Sequence, residues 1–396
     1  MITGFATTNK GLEQLLANEL EELGANNVKI TNAGAQFSAN FENIIKFNLH
    51  SRFASRVMVQ VGHSKYDNEE DIYNLANQIN WQNWFDVNDT IKVNTTAINS
   101  PLKSLDFITL KVKDAICDKF MTKTNQRPNI DKSNPNIRIY NFLTKDTITI
   151  YIDTSGEGLF KRGYRQNKLE APLKENLAAG LIALTNWEPK ISFLDPMCGS
   201  GTIIIEAISK ALNIAPGLNR NFAFEKIKLF DSNTWNSLKL DAIKRININT
   251  EIKIYGNDIS QKAITITREN LNFFAQQLIN LLPNNSESIK IIFENIQLDS
   301  KNILELNAPD NKGVMLTNPP YGKRLDEQEH LAKMYPNLAS HLKNNYTNWN
   351  CYFLTSDLQM PKLMRLKPSK KSPIFNGALD CRLFEFKMVS GSNRDK

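Results

Sequence analysis

The sequence predicts an α/β protein: an open parallel sheet wrapped by helices in its C-terminal part, preceded by an α+β segment. Three observations predict it. From about residue 170, short apolar strands alternate with long helices, the pattern of a parallel sheet covered on both faces. A glycine-rich turn, Asp195-Pro196-Met197-Cys198-Gly199-Ser200-Gly201-Thr202, joins one such strand to the next helix. Roughly 120 residues later a stiff turn, Asn318-Pro319-Pro320-Tyr321, ends another strand.

In chain order, residues 5–61 read as a small βαββαβ unit. Leu12, Leu15, Leu16, Leu20 and Leu23 recur at helical spacing between Asn9, a candidate N-cap, and Gly24, a candidate stop. Strands at 28–32 and 35–41, a helix over 42–50 and a strand at Arg56–Val61 complete a ferredoxin-like order. Residues 62–155 form a second module. Its expected elements are a helix Asp71–Phe85, a strand Thr90–Ile98, a helix Lys103–Lys123, and a strand pair Ile137–Phe142 and Thr147–Asp153. A glycine-bearing connector, Ser155-Gly156-Glu157-Gly158, leads to Lys161-Arg162-Gly163-Tyr164-Arg165. The C-terminal part predicts strands near Ile191–Asp195, Lys253–Asn257, Lys290–Glu294, Val314–Thr317 and Cys351–Thr355. Helices fall near 172–185, 201–213, 260–280 and 326–344, with Leu282–Ser288 a polar loop. Pro373–Ala378 and Arg382–Val389 close it as an antiparallel hairpin. The domain division expected is 1–60, 61–160 and 161–396.

Composition excludes several classes. No apolar run reaches the roughly 18 residues of a membrane span, and the start of the chain does not read as a signal peptide. Four cysteines lie far apart and four histidines lack metal-ligand spacing, so reduced thiols, a cytoplasmic setting and no metal are expected. Net charge is +7 and uneven: residues 1–160 hold 16 Lys+Arg against 18 Asp+Glu (−2), and the remainder 32 against 23 (+9). A basic half suits a polyanion or a generic basic surface. Lys362, Arg365, Lys367, Lys370 and Lys371 crowd into ten residues without an acid, a candidate phosphate contact or a solvated loop.

Two turns carry the chemistry. In Asp195–Thr202 the glycines permit close approach, and a helix start presents free N–H groups. Asp195 adds a carboxylate at a strand's carboxyl end, where open α/β sheets bind ligands. The turn lacks the Gly-Lys-Ser/Thr ending of a phosphate loop and the G-x-G-x-x-G of a dinucleotide site. Asp258 ends the next strand, placed either to accept both hydroxyls of a ribose or to cap the following helix. At the second turn the Asn318 amide oxygen and the Pro319 carbonyl can accept both hydrogens of one amino group. A conjugated amine is a poor nucleophile, and such holding aligns its lone pair with an electrophilic methyl. Tyr321 offers a face for stacking a base. Cys198 is not expected to be a nucleophile, having no histidine nearby in sequence.

This run of motifs resembles the S-adenosylmethionine-dependent amino methyltransferases. More narrowly, residues 161–390 resemble the catalytic domain of the THUMP-containing RNA guanine-N2 methyltransferases. Gly158–Arg165 is similar to that family's junction signature, and Ala171–Ala179 to its segment that closes over the cofactor. The resemblance implies a Rossmann-like class I methyltransferase domain behind a ferredoxin-like plus THUMP module. It is nearest to the bacterial enzymes acting on 23S rRNA, and so implies transfer to N2 of one guanine there, at site 2445. A tRNA guanine and a non-catalytic RNA-binding assembly factor stand as alternatives. Many members continue into a second methyltransferase domain, so a stand-alone or shortened form is implied. Pro172, Lys174, Asn176, Asp195, Met197, Cys198, Gly199, Ser200, Gly201 and Thr202 are implied at S-adenosylmethionine. Asp258 is implied at its ribose, and Asn295, or a neighbour in Glu294–Asp299, at its adenine. Asn318, Pro319 and Tyr321 are implied at the target base. Arg162, Arg165, Lys323, Arg324, Lys367, Lys370 and Lys371 are implied at RNA.

Overall fold

The computed structural model describes residues 1–166, 173–320 and 325–389, and the side chains of 325–333 are outside the description. Two compact units emerge: Met1–Thr8 with Leu16–Leu159 and Arg220–Lys239, and Asn9–Leu15 with Phe160–Asn219 and Leu240–Lys396.

The first unit is built on one seven-stranded sheet. Its elements are β1 (Ile2–Thr7), α1 (Glu13–Glu22), β2 (Asn26–Thr31), β3 (Gly34–Ala39), α2 (Phe41–His50), β4 (Arg56–Lys65), α3 (Glu69–Gln78), β5 (Ile91–Ala97), α4 (Leu105–Thr124), β6 (Ile137–Leu143) and β7 (Thr147–Asp153). The order β2-β3-β1-β4-β7-β6-β5 joins the two expected modules into a single sheet. The joint is β4. It runs four residues past the expected end at Val61, pairs with β1 through Arg56–Val59, and pairs with β7 through Met58–Lys65 across an irregularity between Gln60 and Gly62. Two short sheets would each leave an open edge next to the other, and pairing β4 with β7 removes both. The helix expected over Asp71–Phe85 stops at Gln78. Trp81 then starts a separate 3₁₀ turn, fully buried, with its indole N–H bonded to the Ala76 carbonyl at 2.8 Å.

The second unit carries α5 (Glu175–Leu184), β8 (Ser192–Asp195), α6 (Thr202–Ala211), the end of α7 (Ser232–Lys244), β9 (Ile254–Asn257), α8 (Gln261–Leu281), α9 (Ser286–Glu294), β10 (Gln297–Asp299), β11 (Gly313–Thr317), α10 (Leu325–Asn345), β12 (Trp349–Thr355), α11 (Met360–Met364), β13 (Lys370–Asn376) and β14 (Leu379–Lys387). Its strand order is β10-β9-β8-β11-β12-β14-β13. The first five strands run parallel, and β14 and β13 form the expected antiparallel hairpin. The order reverses between β8 and β11, the switch point at which such sheets bind ligands. One face packs Leu194, Met315, Cys351, Phe353 and Phe384 against Tyr335, Leu338 and Leu342 of α10.

One expected strand is a helix. Lys290–Glu294 lies in α9, which starts inside the expected loop, and the strand follows three residues later as β10. The run Ile289, Ile291, Ile292, Phe293 is apolar without strict alternation, so its short length left helix and strand undecided. Only Ile289 of α9 is buried. Among the described residues no helix is long and apolar enough to cross a membrane, and no group of His, Cys, Asp and Glu could hold a metal. All four cysteines are buried, and none is joined in a disulfide.

Candidate active site

The carboxyl ends of β8, β9, β10 and β11 collect the functional side chains. β8 is buried along its whole length and delivers Asp195, 1% exposed, to the start of the glycine turn. Gly199 and Gly201 take positive φ, +57° and +81°. A Cβ on Gly201 would meet Thr267 Cγ2 at 2.8 Å, so only glycine fits. The turn is held from below. The Cys198 N–H donates to the Asn257 carbonyl at 2.8 Å, and Thr267 Oγ1 donates to the Gly199 carbonyl at 2.9 Å. Asn270 Nδ2 donates to the Ser200 carbonyl at 3.0 Å, and Asn257 Nδ2 to the Pro196 carbonyl at 3.0 Å. Thr202 then opens α6 with Gly201 as its N-cap. The sequence reading missed Asn257, Thr267 and Asn270. Thr267 and Asn270 stand three apart on α8, both fully buried, and polar residues on a helix's apolar stripe were the available signal.

Asp258 does not cap α8; Ser260 does, through its side chain to the Ala263 N–H. Asp258 faces the turn instead, accepting from the Gly199 N–H at 3.0 Å and the Ser260 N–H at 2.9 Å. Beside it Ile259 is 72% exposed, an apolar side chain held out at the sheet's carboxyl edge. The next strand ends at Asp299, whose carbonyl accepts the Asp258 N–H at 3.3 Å. Asn295 is the exposed C-cap of α9 and precedes β10. It stands at the amino end of that strand, on the order of 10 Å from the carboxyl edge, because the residues before it are helical. The acid at the working end of the stretch Glu294–Asp299 is Asp299.

Asp195 and Asn318 stand at the carboxyl ends of neighbouring strands. β8 and β11 pair in parallel with Leu194 opposite Met315, so Thr317 and Asn318 leave their strand about 4.8 Å from the strand that ends at Asp195. Thr317 Oγ1 faces the Asp195 carboxyl but takes no hydrogen bond of full geometry. The Asp195 carboxyl is pushed up to about 7, chiefly by burial and further by the charge of Asp258, while Thr317 and the Met197 N–H partly offset this. A buried acid in that state suits a cationic ligand group beside it. Cys198 is buried and its thiol is held well above the usual range, first by burial and then by Asp195. That is the opposite of an activated nucleophile.

The expected RNA contacts divide. Arg162 is buried and paired with Glu206 of α6 at 3.4 Å, and the Tyr164 hydroxyl donates to the same carboxylate at 3.0 Å. Arg165 donates to Thr202 Oγ1 and the Leu173 carbonyl, both at 2.8 Å, and pairs with Glu175 at 3.4 Å. These two arginines therefore brace the interior and are not a basic surface. An isolated buried carboxylate is costly, and Glu206 and Glu175 each claim a cation. The brace sets Lys174, at the N-cap of α5, and the fully buried Asn176 beside the start of α6. Lys367, Lys370 and Lys371 are exposed, the latter two on the edge strand β13. Pro172, Tyr321, Lys323 and Arg324 lie outside the described residues.

Residues 162–385 match the family model described as RMKL-like, methyltransferase domain. The chain belongs to that methyltransferase family. Ahead of its RMKL-like domain, residues 66–153 match the THUMP domain and 3–58 the RlmL ferredoxin-like domain. The RMKL-like chain is 37% identical over 98% of its length to the ribosomal RNA large subunit methyltransferase K/L of Psychromonas ingrahamii, covering 50% of that protein. It spans about half the length of the curated relatives it matches. Among solved structures it is similar to a possible methylase from Clostridium difficile 630, with TM-score 0.87, 31% identity and 99% of both chains covered. It is also similar to the methyltransferase SMU.472 complexed with SAH, with TM-score 0.86, 29% identity and 99% of both chains covered.

Proposed function

We propose that the protein transfers a methyl group from S-adenosylmethionine to the exocyclic N2 of a guanine in 23S rRNA, in the bacterial cytoplasm. The observation that carries this reading is the placement of Asn318 one strand from Asp195 at the switch point of the sheet. The relatives named as ribosomal RNA large subunit methyltransferases support the substrate class. Residues 1–60, 61–160 and 161–396 then serve as ferredoxin-like, THUMP and catalytic domains, the first two choosing RNA by shape and single-stranded features.

S-adenosylmethionine, when bound, supplies an electrophilic methyl on a sulfonium. The residues fit it. Asp195 meets its cationic end with Met197, Cys198, Gly199, Ser200, Gly201 and Thr202 around it, Lys174 and Asn176 lie to the side, and Asp258 takes the ribose hydroxyls. Ile259 and Asp299 take the adenine face and edge in place of Asn295. Asn318 Oδ1 and the Pro319 carbonyl hold the amino hydrogens of the guanine, and Tyr321 stacks on its ring. The base leaves its stack to reach them. Holding the nitrogen with its lone pair toward the methyl is the protein's contribution.

Nucleoside mass spectrometry of rRNA and tRNA from a deletion strain tests the reading. N2-methylguanosine falls in 23S rRNA alone; a loss confined to tRNA reassigns the substrate, and unchanged nucleosides in both remove the activity.

Cofactor binding depends on pH through Asp195. Its folded pKa of about 7 is above the unfolded value. The carboxyl therefore favours folding below about pH 4, and that contribution is lost as pH rises toward 7. A cationic ligand favours the ionised form. Its dissociation constant, measured by calorimetry, falls about tenfold from pH 6 to pH 8 as that group titrates, and Asp195→Asn flattens the profile.

Lys367 and the β13 lysines Lys370 and Lys371 act on RNA through phosphates. Lys367→Gln, Lys370→Gln and Lys371→Gln together reduce the slope of log affinity against log salt by about 2, given about 0.7 per single-strand phosphate contact. An unchanged slope, measured by filter binding to an rRNA fragment, places these lysines off the RNA path.

A further inference from the structure

We propose that Asp357 reads the Watson–Crick edge of the target base, accepting the N1–H of guanine while the Asn318-Pro319 corner holds the N2 amino group. The proposal rests on the reading of that corner given above.

Strand order decides where a base can lie. β10, β9 and β8 end in the acids and glycines of the cofactor side, and the neighbour of β11 on its other side is β12. A base hung from Asn318 therefore extends over the end of β12. The two strands run parallel with Thr317 opposite Phe353. Two residues beyond that pair come Pro319 on one chain and Thr355, the last residue of β12, on the other. Past Thr355 the chain does not run on, because the Asp357 N–H donates back to Thr355 Oγ1 at 3.0 Å. The Asp357 carboxylate is thus kept at the strand's end, half-buried. Among the described residues that directly follow β11 and β12, 318–320 and 356–359, it is the one carboxylate. Its Oδ1 accepts the Gln359 N–H at 2.9 Å, and no described residue donates to Oδ2.

A second observation points to a ligand here. Tyr335 is 1% exposed, and its buried hydroxyl faces the Thr355 side chain, as Thr317 Oγ1 faces Asp195, neither with a hydrogen bond of full geometry. It stands close enough to Asp357 that the carboxylate's charge, after burial itself, helps push the phenol up to about 12. Buried polar atoms without partners are uncommon. The Tyr335 hydroxyl lies on the Asp357 side of this corner and Thr317 Oγ1 on the Asp195 side.

An acid is what the guanine edge requires. N1 and N2 of guanine are both donors, and a carboxylate only accepts. Adenine presents a lone pair at N1 and would set acceptor against acceptor. A site built to pair a polar group rejects the analogue that lacks it, because the buried partner is left unsatisfied.

The test uses the purified full chain, methyl-labelled S-adenosylmethionine and 23S rRNA from a deletion strain. The fragment that takes up label is then remade with 2-aminopurine or 2,6-diaminopurine in place of the labelled guanine. Both keep the 2-amino group and lack the N1 hydrogen. The wild type should prefer guanine by about 100-fold in kcat/KM, the scale of leaving one half-buried polar group unsatisfied. Asp357→Asn keeps the Oδ1 acceptor for Gln359 and can offer N1 a donor. It should cut that preference to below about tenfold or invert it, with cofactor affinity and melting temperature unchanged. A purely structural role would lower all three substrates together. An undiminished guanine preference in Asp357→Asn overturns the proposal and leaves the proposed function standing; failure of the wild type to label any guanine overturns both.

Discussion

Asn318→Ala lowers the turnover number about 10³-fold, the upper range for loss of one preorganised acceptor or donor at a reacting centre, while cofactor affinity stays within a few-fold. The physical reason is local. Asn318 leaves the end of β11 and the following prolines fix the turn, so the alanine variant keeps the backbone and loses the side-chain oxygen. Asp195, Asp258 and the glycine turn stand on β8 and β9 and are untouched by the change. Single-turnover kinetics beside equilibrium binding of S-adenosylhomocysteine separates the two effects. Retained turnover removes Asn318 from the mechanism, and a parallel loss of cofactor binding makes it a structural residue.

Arg162→Ala destabilises the second unit by about 3–5 kcal/mol, the usual result of stranding one charge of a buried pair. The side chains of Arg162 and Glu206 are 4% and 2% exposed. Removing the guanidinium leaves the Glu206 carboxylate with the Tyr164 hydroxyl and, among the described residues, no second ion pair. The melting temperature should fall on the order of 10 °C, at about 2–4 °C per kcal/mol for a unit of this size. Arg162→Met combined with Glu206→Leu should recover most of the loss, since an apolar pair of similar volume avoids the desolvation cost. A surface role in RNA binding predicts the reverse: an unchanged melting temperature, weaker RNA affinity, and no recovery in the double variant.

The fate of Arg162 and Arg165 shows where sequence stops. A basic dipeptide rhythm around Gly163-Tyr164 reads equally as a phosphate patch and as a brace. What decides is the position of Glu206 and Glu175, 44 and 10 residues further along. Pairing at that range follows from tertiary packing of α5 and α6 and leaves no local signal. The glycine turn and the Asn-Pro-Pro corner were legible because their chemistry is local: positive φ at Gly199 and Gly201, and a stiff exit at a strand's end. Asp258 was legible as an acid at a strand's end, but its partner was not, since the Gly199 N–H comes from 59 residues away. Asn295 was misplaced by α9, a helix whose few apolar residues matched a short strand equally well. The parallel sheet was legible from alternation, whereas the merging of the first two modules through β4 was not. An edge gives no sequence sign of which other edge will cover it.

Purified protein incubated with methyl-labelled S-adenosylmethionine and unmodified 23S rRNA, followed by digestion and separation of nucleosides, tests the proposed methyl transfer most directly. The account predicts label in N2-methylguanosine and labelling about 10³-fold slower with Asn318→Ala. Label in N6-methyladenosine, in a ribose methyl or in protein would contradict it.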